Sequence, residues 1–159
     1  MRPERSWRIV TESRQGWIVD ASVVAKWYLR DEEYVDQADG VLDRFLDGSD
    51  VVTAPCFIRY ELTNALLRAA RDGRISRDTA ERAVQRFAGL TIAQPSDPDE
   101  RIAAAAQLAF GMGITFYDAL YVALARELTL RVVTADVVLH ERVEGFLPST
   151  IALIQDVAL

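Results

Sequence analysis

The stretch GWIVDASVVAKWYL, residues 16–29, decides how the rest of the chain is read. It is apolar through Trp17, Ile18 and Val19, meets a carboxylate at Asp20, and turns apolar again from Val23. Residues 17–19 predict a buried strand, and residues 23–30 the helix that follows it. A charged group at the end of a buried strand is costly to desolvate. Either the strand ends in water there or something binds there.

Along the chain helix and strand signals alternate, the pattern of an α/β fold with a parallel sheet. Residues 34–46 carry Val35, Ala38, Leu42, Phe45 and Leu46 at helical spacing, and SDVVTAP supplies a second short strand with a stop. CFIRYELTNALLRAARDG reads as a helix whose apolar half holds Phe57, Ile58, Leu62, Ala65, Leu66 and Ala69. Glu61 falls inside that half. ISRDTAERAVQRFAG predicts another helix with Ser76 as its N-cap, and LTIA, residues 90–93, a short strand. DPDE opens a helix through residue 110, with Asp97 as N-cap and Pro98 in the first turn. ITFYDALYVALARELTL is apolar or alanine throughout residues 119–125, which predicts a helix buried on most sides with Asp118 at its start. RVVTAD is a strand running into Asp136, VVLHERV a short helix, and STIALI a last strand.

At 159 residues the chain fits one domain, and no apolar run reaches the length of a membrane span. Cys56 is the only cysteine, so no internal disulfide forms, and a cytoplasmic protein in a reducing compartment is the expectation. The net charge of −6 opposes general attraction to nucleic acid, but the charge is uneven. Residues 31–50 hold eight acids against Arg44 alone. Residues 59–86 hold seven arginines against four acids. The plain reading is two solvated helix faces. The sharper one is an arginine patch, through Arg68, Arg71, Arg74, Arg77, Arg82 and Arg86, that holds phosphates.

Four acids stand apart: Asp20 after the first strand, Glu61 on an apolar helix face, Asp118 heading a buried helix, and Asp136 after the fourth predicted strand. Each has an ordinary explanation. The aspartates could cap helices, and Glu61 could reach the helix edge or pair with an arginine such as Arg68. Jointly they suggest more, because functional groups of an open parallel sheet gather at the carboxyl ends of its strands. Carboxylates meeting at ~4 Å would repel by about 4 kcal/mol per pair at an effective dielectric near 20. A divalent cation removes that cost, and oxygen ligands favour Mg²⁺ or Mn²⁺ over zinc.

VDASVVAKWYL, APCFIRYELTNALL, TFYDALYVALA and VVTAD, in this order and spacing, resemble the four acidic motifs of the PIN domain, specifically of VapC-type toxins from toxin–antitoxin pairs. The resemblance covers residues 17–155, leaving residues 1–16 as an N-terminal extension to a domain over 17–159. It implies a three-layer α/β/α fold with a five-stranded parallel sheet, the first and fourth strands adjacent at its centre. It further implies that Asp20, Glu61, Asp118 and Asp136 bind Mg²⁺ and carry catalysis, and that Ser22, Asn64 and Thr134 orient carboxylates, water or phosphate. The implied activity is endonucleolytic cleavage of RNA, in a homodimer held inactive by a VapB-like antitoxin. The Arg-rich stretch would then touch RNA or antitoxin. His140, where the family often carries another acid or amide, reads as a helix-edge residue.

The residues leave two alternatives open. One is a PIN-fold binding module without catalysis. The other is phosphoryl transfer through an aspartyl intermediate, opposed by Ser22 where a second aspartate is wanted and by Lys26 being the only lysine.

Overall fold

The computed structural model describes residues 15–158. The 1–16 extension therefore lies almost wholly outside the described residues. Chain order is β1 (Gly16–Val19), α1 (Ala21–Lys26), α2 (Val35–Leu46), β2 (Val51–Thr53), α3 (Ile58–Arg71), α4 (Arg77–Ala88), α5 (Asp99–Met112), α6 (Phe116–Leu128), β3 (Arg131–Thr134), α7 (Val137–Phe146) and β4 (Ile151–Leu153).

All strand pairs are parallel, in the order β2-β1-β3-β4. Successive side chains of β1 feed opposite faces. Trp17 and Val19 join one core with α1 to α4, whereas Ile18 joins the other with α5, α6 and α7. Val133 and Val132 of β3 divide in the same way. That division produces the expected three layers, with β1 and β3 adjacent at the centre. After β1 the chain pairs outward on one side through β2, and later returns on the other side through β3. The topological switch point therefore lies between β1 and β3, directly beneath Asp20 and Asp136.

The expected fifth strand is absent among the described residues. Of residues 90–93 only Ala93 pairs, as a single parallel bridge to Thr53, with Ala93 also accepting from the Ala54 amide at 3.0 Å. The ladder has nowhere to grow: β2 is three residues long, and Pro55 and Pro95 beyond the bridge supply no N–H. The sheet therefore has four strands.

Two smaller expectations also change. The helix after Asp20 stops at Lys26 rather than near Arg30, and the Trp27 indole donates to the Ala38 carbonyl at 2.8 Å, anchoring the turn to α2. α5 begins at Asp99, and Asp97 accepts from Arg101 at 3.0 Å instead of capping the helix. The other helices fall where periodicity placed them. Ser76 caps α4 by accepting from the Thr79 amide at 3.1 Å, and every residue from Ala119 to Ala125 is buried.

Candidate active site

Asp20 follows the last residue of β1, and its amide extends the ladder by donating to the Val133 carbonyl at 3.0 Å. It stands in N-cap position before α1, yet its side chain makes no capping bond. Its Oδ2 instead accepts from the Ser22 hydroxyl at 2.6 Å and from the Thr134 hydroxyl at 2.7 Å. Each hydroxyl is in turn occupied by a backbone donor, Ser22 by the Ala135 amide at 2.9 Å and Thr134 by the Asp136 amide at 3.0 Å. Each hydroxyl donates to Asp20 while accepting from a backbone amide. Ser22 and Thr134, expected to orient carboxylates, water or phosphate, both hydrogen-bond Asp20.

Glu61 sits in the first turn of α3, half-buried on the apolar face that carries Ile58, Leu62 and Leu66. Its Oε2 accepts from the Tyr121 hydroxyl at 2.6 Å. Asp118 is not the cap of α6. Thr115 is, accepting from the Asp118 amide at 3.1 Å, while its hydroxyl donates to Asp118 Oδ2 at 2.7 Å. Asp136 does cap its helix, accepting from the Leu139 amide at 2.9 Å through Oδ1. The ordinary explanation thus holds in part for Asp136 and fails for Asp20.

A common pattern links the four. In each carboxylate one oxygen is held by a hydrogen bond from the protein, and the other accepts none of ordinary geometry from the described residues. Nor does any of the four form an ion pair among the described residues, although Asp50, Asp97 and Glu32 all do. Burial and mutual repulsion shape the electrostatics of these acids. Burial pushes the Asp20 carboxyl above its usual range, against the Ser22 and Thr134 hydroxyls, and the Asp118 charge pushes the same way. Burial likewise pushes Glu61 up to about 7, opposed by the Tyr121 hydrogen bond and reinforced by the charges of Asp20 and Asp118. These three acids therefore share one field. Asp136 joins them only through the Thr134 hydroxyl, which accepts its amide and donates to Asp20.

The donor set is all oxygen and lacks a counter-charge, which suits a hard divalent cation. Among the described residues no three acidic, histidine or cysteine side chains stand close enough to surround one ion. Mg²⁺ does not require that, since it keeps several waters and takes one or two carboxylates. Asp20 and Glu61, or Asp20 and Asp118, whose charges act on one another, are the candidates for such a pair.

Other predicted positions behave differently. Asn64 is exposed one turn beyond Glu61 and makes no side-chain hydrogen bond among the described residues. The arginine patch is largely neutralised where it stands: Arg74 pairs with Asp31 and Glu32, Arg77 with Glu81, and Arg82 with Asp78. Arg68, Arg71 and Arg86 are exposed and have no ion-pair partner among the described residues. His140 is half-buried on α7. Tyr121 and Thr115 escaped the sequence reading. Tyr121 was hidden in a run that looked purely apolar, whereas T-x-x-D before α6 was a readable capping signal.

The family model for the PIN domain matches residues 17–145. Among solved structures, PAE2754 from Pyrobaculum aerophilum is similar at a TM-score of 0.66 and 22% identity, over 96% of this chain and 94% of that one. VapC20 from Mycobacterium tuberculosis, a toxin that cleaves the sarcin-ricin loop, is similar at a TM-score of 0.60 and 16% identity, over 84% of this chain and 98% of that one. At such identities the likeness is one of fold. No curated protein matches the sequence. The match to residues 17–145 spans most of the chain, which belongs to the PIN-domain family.

Proposed function

We propose that the chain is a divalent-metal-dependent endoribonuclease, the toxin of a toxin–antitoxin pair. PIN domains are generally nucleases, and the fold is shared with a toxin described as cleaving the sarcin-ricin loop. One observation carries the reading furthest: four carboxylates, Asp20 buried, Glu61 and Asp118 half-buried and Asp136 exposed, have no ion-pair partner among the described residues, and Asp20 and Asp136 flank the switch point of a parallel sheet.

In this reading Asp20, with Glu61 or Asp118, would hold Mg²⁺ or Mn²⁺, and the remaining acids complete the acidic rim. When bound, the cation supplies Lewis-acid stabilisation of phosphate charge and makes water a stronger nucleophile. The chain's own groups do the rest. Ser22 and Thr134 keep Asp20 in one rotamer, and Thr115 does so for Asp118. Glu61, pushed up to about 7 by burial and the charges of Asp20 and Asp118, would be drawn to its ionised form by a bound cation. Arg68, Arg71 and Arg86 are the arginines left to meet RNA phosphate or an acidic VapB-like antitoxin segment, and a homodimer completes the proposal.

Incubation of RNA with the wild type in Mg²⁺, in EDTA, and with Asp20→Asn tests this. Cleavage confined to wild type with Mg²⁺ is expected, and equal cleavage by both proteins would remove the assignment. A folded wild type that cleaves no RNA and binds no Mn²⁺ would instead favour the silent binding module.

A further inference from the structure

We propose that Tyr121 is a positioning residue that makes Glu61 a single-oxygen ligand by tying its Oε2 from beneath the site. The proposal rests on the metal-site reading above. Tyr121 is 1% exposed, and its hydroxyl donates to Glu61 Oε2 at 2.6 Å. A buried tyrosine hydroxyl needs a partner, and Glu61 is the only side-chain acceptor it has among the described residues. The ring cannot drift, since Phe57, itself buried, meets it edge-on with centroids 5.5 Å apart.

The other three acids are steadied by residues close in sequence or by the neighbouring central strand: Ser22 and Thr134 for Asp20, Thr115 for Asp118, Leu139 for Asp136. Glu61 has the longest side chain of the four, and its tether alone comes from a different helix. Tyr121 also lies three residues after Asp118, so one face of α6 presents an acid to the site and a hydroxyl to the acid opposite. Freed from Tyr121, Glu61 could turn away or offer both oxygens at once. Hydrogen-bonded through Oε2, it is held in one orientation with Oε1 free of any donor among the described residues. Partners that orient metal ligands in this way typically affect metal affinity by about 10- to 100-fold.

The test is calorimetric titration of the full chain with Mn²⁺, without RNA, together with melting in EDTA. Tyr121→Phe, which removes only the hydroxyl, should weaken Mn²⁺ affinity by roughly tenfold or more while melting close to wild type. Phe87→Leu, a core change in α4 far from the acids in sequence, should lower the melting temperature and leave Mn²⁺ affinity unchanged. A Tyr121→Phe affinity equal to wild type would overturn the proposal, as would an equal affinity loss in Phe87→Leu. Absence of Mn²⁺ binding by folded wild type would instead overturn the metal-site reading, and this proposal with it.

Discussion

Asp50 and Asp20 are both buried, at 3% and 8% exposure, and both flank strands that lie side by side in the sheet, yet their charges are met in opposite ways. Asp50 precedes β2 and Asp20 follows β1, so in a parallel pair they occupy opposite edges. At the amino edge, the Arg44 guanidinium grips both oxygens of Asp50, Nε and Nη2 each at 2.9 Å. At the carboxyl edge, Asp20 receives two hydroxyls and no cation among the described residues. The first charge is complete within the fold. The second is held in place but left electrostatically open, which is what a group that meets an external cation requires.

The two regions should therefore fail differently when broken. The largest effect is expected on the reaction: Asp20→Asn should lower RNA cleavage by about 10²–10³-fold, the scale of losing a key electrostatic group, measured as initial rate in Mg²⁺. The same variant should melt no lower than wild type in EDTA, because it removes a charge that burial disfavours. Asp50→Ala should do the reverse, leaving folded enzyme active but costing about 2–3 kcal/mol in urea unfolding. That figure lies at or below the low end for breaking a buried pair, because Arg44 keeps access to water.

A smaller effect depends on pH. The Glu61 carboxyl, raised from 4.5 to about 7, holds its proton more tightly in the folded chain than in the unfolded one. Between those values the native state binds more protons, so stability from this group is present at low pH and lost as pH rises through about 7. Without metal, Glu61→Gln should match the wild-type melting temperature at pH 4 and exceed it by a few degrees at pH 8. Equal melting temperatures at both pH values would show that Glu61 is not strained in the fold. Smallest of all, Arg77→Ala and Arg82→Ala should each melt within experimental error of wild type, since both ion pairs are exposed helix-surface pairs.

The same two aspartates show what could be read in advance. Asp20 was conspicuous because it ended an apolar run at the carboxyl end of a strand. Asp50 passed as one more member of an acidic face, because its neutralising partner lies six residues back, across the end of α2, and strand burial there is visible only once β2 pairs with β1. Helix placement was legible from apolar periodicity, as in α3 and α6. Strand count was not, since a strand at 90–93 needs a neighbour long enough to pair with it, and β2 ends after three residues. In the site, the identity of the acids came from sequence order, whereas their tethers did not. A hydroxyl inside an apolar run, such as Tyr121, gains meaning only from the glutamate that packing brings to it.

The most direct measurement is the Mn²⁺-induced change in melting temperature for wild type, Asp20→Asn and Asp50→Asn at neutral pH. A ligand at a hundredfold excess over its dissociation constant adds about 2.7 kcal/mol, or roughly 5–10 °C for a domain of this size. Wild type should gain that stabilisation, Asp50→Asn should gain it from a lower starting point, and Asp20→Asn should lose it. A wild type indifferent to Mn²⁺, or an Asp20→Asn variant that still responds in full, would contradict the assignment of the carboxyl edge as a cation site.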